Sequence, residues 1–276
     1  MKIYNIFFSP TGTSAKVAAS VASGIEELMA AGICGCDVTR RSADLCLRPL
    51  KSDIALIAAP VYGGKMAPLA KERMKGIVAD STPCVLIAVY GNRAFENAVK
   101  DMAEFAESLG FVPVAAAAFV GEHSYSRSGT PIAEGRPDKA DLADAVSFGR
   151  AIGEQLKDGA MSPADVAGLL DEPSPEQSLV NFRTFVMGYM ESQKANPVRL
   201  LPEIDVELCC ECGKCVEVCP TEAIGSDCHS IVPEKCIKCS ACVKICPVGA
   251  RSLNSPFAPV LSENFSLRKS PRWIVG

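Results

Sequence analysis

The chain has 276 residues, 48% of them hydrophobic and 22% charged, with 14 cysteines, one tryptophan and a formal net charge of −4. That length suggests about two domains, and the composition excludes a disordered tail, a collagen-like rod and a strongly basic nucleic-acid binder. The longest apolar stretch, Val112 to Val120, spans nine residues and contains Pro113, well short of the roughly 18 to 20 needed to cross a bilayer. The N-terminal MKIYNIFFSPTG lacks both the apolar run and the small-residue cleavage site of a secretory leader, so a cytoplasmic protein with no transmembrane segment and no nucleic-acid partner is expected.

In chain order, residues 2–8, 53–59, 83–90 and 112–120 are nearly continuous apolar runs bounded by Gly, Pro or Ser, the pattern of strands buried on both faces. Between them, 13–31, 66–79 and 94–110 repeat apolar residues every three or four positions and read as amphipathic helices. A weaker strand near 36–40 and a last helix near 138–157 complete five βα units. The expected fold over 1–160 is α/β, a doubly wound five-stranded parallel sheet.

The first strand runs through Ser9-Pro10-Thr11-Gly12-Thr13-Ser14 directly into a helix. Hydroxyls and backbone N–H groups at a helix start make a phosphate site that needs no Lys or Arg, although an ordinary N-cap looks the same. It is neither a Walker loop nor a G-x-G-x-x-G fingerprint. Two more loops should converge on the same sheet edge, Pro60-Val61-Tyr62-Gly63-Gly64-Lys65 and Tyr90-Gly91-Asn92-Arg93. Each offers an aromatic ring and glycines that admit a flat ligand, and each tyrosine also reads as a half-buried strand end. The pattern [ST]-x-T-G-x-[ST] with these aromatic loops resembles flavodoxin over residues 1–157. The resemblance implies FMN, with its phosphate on Ser9, Thr11, Gly12, Thr13 and Ser14 and its ring system between the 60–65 and 90–93 loops.

The loop Gly121-Glu122-His123-Ser124-Tyr125-Ser126-Arg127 follows the fifth strand and is expected at the same edge. His123 and Tyr125 are candidate catalytic residues there, His123 as a proton donor, against the plainer reading of a polar loop. Residues 161–200 read as a linker containing a helix near 179–193, whose apolar residues pack within the protein or face a partner.

Ten of the 14 cysteines lie between Cys209 and Cys246. The stretch CCECGKCVEVCPTEA (209–223) recurs as CIKCSACVKICPVGA (236–250), offset by 27 positions. Each copy reads C-x2-C-x2-C-x3-C-P, in which three thiolates wrap one cluster and the fourth ligates the other. That assigns Cys209, Cys212, Cys215 and Cys246 to one cluster, and Cys236, Cys239, Cys242 and Cys219 to the second. Zinc is the competing reading, but it favours two separated pairs. Residues 203–252 resemble a bacterial-type ferredoxin with two [4Fe–4S] clusters, a small α+β domain placed at 201–255 and followed by a tail, 256–276. Cys210 and Cys228 fall outside the motif and read as non-ligand thiols. The 201–255 segment carries eight acids and five bases, and thiolate-held clusters add further negative charge, suiting docking to basic or neutral redox partners.

The whole order resembles the flavodoxin–ferredoxin fusion proteins of anaerobic bacteria and archaea. It implies electron transfer between two [4Fe–4S] clusters and FMN, with redox proteins as partners. Two other readings stand beside it: an FMN-dependent reductase acting on a small-molecule acceptor, and a partner-recruiting scaffold whose first domain is empty.

Overall fold

Apolar runs rich in Ile, Val and Ala become interior strands because both of their faces can be covered. The computed structural model describes residues 1–40 and 46–276. They divide into two units, one of Met1–Glu122, Gly135–Glu172 and Lys269–Gly276, the other of His123–Glu134 and Pro173–Arg268.

The first unit runs β1 (Lys2–Phe7), α1 (Thr13–Glu26), β2 (Gly32–Asp37), β3 (Ile54–Tyr62), β4 (Lys65–Met66), α2 (Pro68–Met74), β5 (Thr82–Tyr90), α3 (Ala98–Ser108), β6 (Phe111–Val120) and α4 (Lys139–Asp158). Five strands pair in parallel in the order β2-β1-β3-β5-β6. Counted along the chain, this is the flavodoxin-like 2-1-3-4-5 order, whose ligands bind beyond the carboxyl ends of the strands at the β1/β3 switch point. Ile3, Leu56, Val85, Ile87, Ala117 and Phe119 form one core with Val17, Val21 and Ile25 of α1 and Phe148 and Ile152 of α4. On the opposite face α3 packs against β5 and β6.

The edge strand β2 lies at 32–37, earlier than the 36–40 expected, and α1 correspondingly stops at Glu26. β2 is mostly exposed and contains two glycines, so it lacks the apolar run that marks an interior strand. Its position is decided by parallel pairing with Lys2–Phe7. The α2 and α3 helices are also shorter than their periodic stretches, α2 because Pro68 opens it at the first turn.

The second unit holds α5 (Glu176–Ala195), β7 (Glu203–Ile204), α6 (Lys214–Glu217), α7 (Ala241–Ile245), β8 (Arg251–Ser252) and α8 (Phe257–Asn264). The helix expected at 179–193 is therefore α5, slightly longer at both ends. It packs on α8 through Phe182–Phe265, Phe185–Phe257 and Tyr189–Phe257 edge contacts, with ring centroids 5.6, 5.1 and 4.9 Å apart. Among the described residues, no helix is long and apolar enough to cross a membrane.

Two stretches expected as linker and tail carry structure. Residues up to Glu172 belong to the first unit, where Ala164 N–H bonds the Pro113 carbonyl. At the chain's end β9 (Arg272–Val275) pairs antiparallel with β6. The open edge of β6 recruits this short segment, a long-range effect that four residues of sequence do not announce.

Candidate functional site

The repeated cysteine runs fold as two copies of one local structure. Positive φ angles recur at the repeat spacing: Glu211 (49°) with Lys238 (58°), Gly213 (75°) with Ser240 (60°), and Glu222 (53°) with Gly249 (67°). Helices α6 and α7 begin directly after Gly213 and Ser240. The pairing of Ile204 with Arg251 is matched by a bridge between Ile224 and Ile231, the same contact with the copies exchanged.

The thiols are shared between copies. Cys209, Cys212 and Cys215 line one cavity together with Cys246. Cys236, Cys239 and Cys242 line another with Cys219. The structure thus brings together the two sets of four that the motif assigns. Sulfurs standing around a cavity suit a group that spans several metal atoms.

Backbone donors favour thiolates at the crossing cysteines. Cys219 Sγ accepts the Ala223 N–H at 3.2 Å. Burial pushes the Cys246 thiol up, but the N–H groups of Val248, Ala250, Arg251 and Gly249 pull it below its ordinary value. Burial raises Cys239 to about 11 and Cys242 to about 12. Outside the motif, Cys210 is exposed and Cys228 buried, and both line the first cavity. The Cys228 thiol donates to the Ser226 carbonyl at 4.0 Å.

The other site lies at the carboxyl ends of β1, β3 and β5, which are adjacent in the sheet. Ser9 Oγ accepts the Ala15 N–H at 3.0 Å, and Ser9 N–H donates to Thr39 Oγ1 at 2.8 Å. The Thr11 and Thr13 hydroxyls lie 3.4 Å apart. Gly12 caps α1 at φ 82° without a side-chain cap bond, and Ser14 Oγ is buried with no hydrogen-bond partner. A helix start whose N-cap residue is a glycine, with hydroxyls around it and one orphaned buried oxygen, fits an anionic group.

The second segment differs from the open loop expected. Pro60, Val61 and Tyr62 finish β3, and Gly63-Gly64, at φ 59° and 74°, turn the chain so that Val61 and Tyr62 pair with Met66 and Lys65. Two consecutive positive-φ residues are what a tight two-residue hairpin requires. A Cβ on Gly64 would meet Glu96 Oε2 at 2.0 Å. Tyr62 is half-buried.

In the third segment Tyr90 is only 3% exposed. Its ring stands edge-on to Phe95 at 5.5 Å, and its hydroxyl has no partner. Burial raises its pKa. Of the two tyrosines, Tyr62 is therefore the ring accessible to a flat ligand. Gly91 and Asn92 continue the turn, Asn92 at φ 66°, and Arg93 pairs with Glu96 at 2.6 Å.

What holds this segment is not legible locally. The Asp171 carboxylate accepts the N–H groups of Phe95 and Glu96, both at 2.8 Å. Buried Lys269 donates from Nζ to the carbonyls of Arg93 and Glu172 at 2.7 and 2.9 Å. Both residues are remote in sequence from the loop they brace, and no motif signals them.

Residues 202–225 and 229–252 match the 4Fe–4S binding domain family. The chain joins a parallel sheet of 2-1-3-4-5 strand order to a segment that matches the 4Fe–4S binding domain family. Among solved structures, a flavodoxin from the domain Archaea is similar at 16% identity and TM-score 0.42, covering 57% of this chain and 99% of its own. Flavodoxin 1 from Bacillus cereus is similar at 18% identity and TM-score 0.38, over 54% of this chain and 95% of its own. The flavodiiron protein from Giardia intestinalis aligns at 16% identity and TM-score 0.38 over 58% of this chain, which spans 37% of that protein. No curated protein sequence matches the chain significantly.

The candidates His123 and Tyr125 belong to the 4Fe–4S unit, whereas the three segments just described belong to the flavodoxin-like unit. Their rings are 4.9 Å apart, and His123 Nδ1 accepts the Tyr125 N–H at 3.0 Å. Tyr125 packs with Ile132, Leu179, Phe182 and α8. The hydrophobic pull of α5 and α8 thus takes the loop beyond Glu122 into the second unit.

Proposed function

We propose that the chain is an electron carrier holding two [4Fe–4S] clusters in the cysteine-ringed cavities and one FMN at the β1/β3/β5 edge. The observation that carries this reading is the division of eight cysteines into two sets of four, each drawn from both copies of the repeat. When bound, such clusters exchange single electrons, while a flavin converts between one- and two-electron chemistry.

The chain's residues supply the environment. Cys209, Cys212, Cys215 and Cys246 hold one cluster, and Cys236, Cys239, Cys242 and Cys219 hold the other. Backbone N–H groups at Cys246 and Cys219 stabilise anionic sulfur. Ser9, Thr11, Gly12, Thr13 and Ser14 receive the flavin phosphate, while Tyr62 and the Gly63-Gly64 turn take the ring system with Pro60, Val61 and the Tyr90–Arg93 segment. Tyr90 acts indirectly, by packing edge-on against Phe95. The acidic excess of the 201–255 segment favours redox proteins with basic docking surfaces.

Anaerobic purification with iron, sulfide and flavin measured on one sample tests this. About eight irons follow from two four-iron clusters, with one FMN for the single sheet-edge site. Zinc in place of iron, or protein that neither retains nor takes up FMN, contradicts it.

A further inference from the structure

The two cysteine cavities are near-copies, so a wall residue that breaks the repeat stands out. Arg251 is 3% exposed and lines the cavity of Cys209, Cys212, Cys215 and Cys246. One guanidinium nitrogen, Nη2, donates to the Cys228 carbonyl. Its Nε and Nη1 are buried with no hydrogen-bond partner. A buried cation whose donors are unpaired is costly unless an anion completes it.

The residue 27 positions earlier is Ile224, and it lines the other cavity. A second break runs the other way. Ser240, matching Gly213, places a buried hydroxyl without a partner at the wall of the cavity of Cys236, Cys239, Cys242 and Cys219. One site therefore has a charged donor and the other a neutral one.

We propose that Arg251 makes the cluster held by Cys209, Cys212, Cys215 and Cys246 the higher-potential member of the pair. This rests on the two-cluster reading above. Each cluster accepts one electron from a low-potential donor, and no bond to the protein is made or broken. The added electron increases negative charge, so a neighbouring cation and N–H donors aimed at sulfur favour the reduced form. Charge-assisted hydrogen bonds are roughly twice as strong as neutral ones, so Arg251 outweighs Ser240. The Arg251 charge also reaches Cys242, after burial the next influence on that thiol. Both clusters feel it, but Arg251 lines only the first cavity. The first electron therefore rests there.

The test is potentiometric titration, followed by electron paramagnetic resonance, of the full chain purified anaerobically. The wild type should show two resolved one-electron steps. In R251I the preference for reducing the first cluster should fall at least tenfold, which is about 59 mV for one electron. S240G should widen the separation instead. R251Q, which keeps an N–H donor without the charge, should fall between wild type and R251I, and it decides the matter should R251I fail to retain both clusters. Coincident wild-type steps, or an unchanged separation in variants that still hold about eight irons, overturn the proposal. A wild type without four-iron signals at both sites defeats the two-cluster reading instead.

Discussion

Cys239 and Cys242 are interior thiols, raised by burial to about 11 and about 12. Burial thus favours the protonated thiol, whereas a metal ligand must be a thiolate, so cluster assembly as proposed would release protons at these two positions. A raised thiol pKa disfavours ligation at low pH, and the penalty shrinks as pH rises. Anaerobic reconstitution from iron and sulfide should therefore reach higher occupancy at pH 8.5 than at pH 7, read by iron content per chain. Equal or inverse loading would show that the thiols are not protonated beforehand. At this scale the motif is what proposes the ligands, because spacing is a local property. It does not reveal that backbone N–H groups converge on Cys246, nor that Arg251 is buried.

At the scale of elements, α1 and α4 approach until backbone touches backbone. A Cβ on Gly149 would lie 2.1 Å from the Val21 carbonyl oxygen, and one on Gly24 would lie 2.1 Å from that of Val146. Neither neighbour is a flexible side chain, so the helices must separate to admit a methyl group. Gly149→Ala should cost about 1–3 kcal/mol and lower the thermal midpoint of the flavodoxin-like unit, with iron content unchanged. A midpoint equal to wild type would mean the helices slide apart freely. The amphipathic periods that announce α1 and α4 are visible in the sequence, but this crossing point is not. Nothing nearby in sequence distinguishes Gly149 from Gly153 four residues on, where a Cβ meets the Leu28 side chain at 3.1 Å instead.

For the whole molecule, the two units differ in what holds them together. The first has a core of aliphatic and aromatic side chains between sheet and helices. Around the cysteine cavities the core is small, and Cys219 and Cys242 are themselves among its buried members, with Ala223 and Ile224. On the proposed two-cluster reading, ligation would be part of the fold there, as in small metal-dependent domains. Oxidative removal of iron should abolish the ordered signal of the 202–252 region while the parallel sheet melts in a separate, later transition. Hydrogen exchange on the stripped chain checks this, with protection expected in β1, β3, β5 and β6 and lost around α6 and α7. Persistent protection in both would show that the cysteine loops fold without metal.

The cysteine spacing, the 27-residue repeat and the buried-strand runs can all be read from the chain, because each depends on neighbours within a few residues or on a period. Folding alone decides that β9 closes the edge of β6, that Tyr90 turns inward against Phe95 while Tyr62 remains half-buried, and that Asp171 and Lys269 brace the 93–96 segment. It also assigns His123 and Tyr125 to the unit of α5 and α8 rather than to the unit of the strand they follow. These outcomes are settled by which surfaces compete for burial and for hydrogen bonds across long separations, and a linear pattern does not encode that competition.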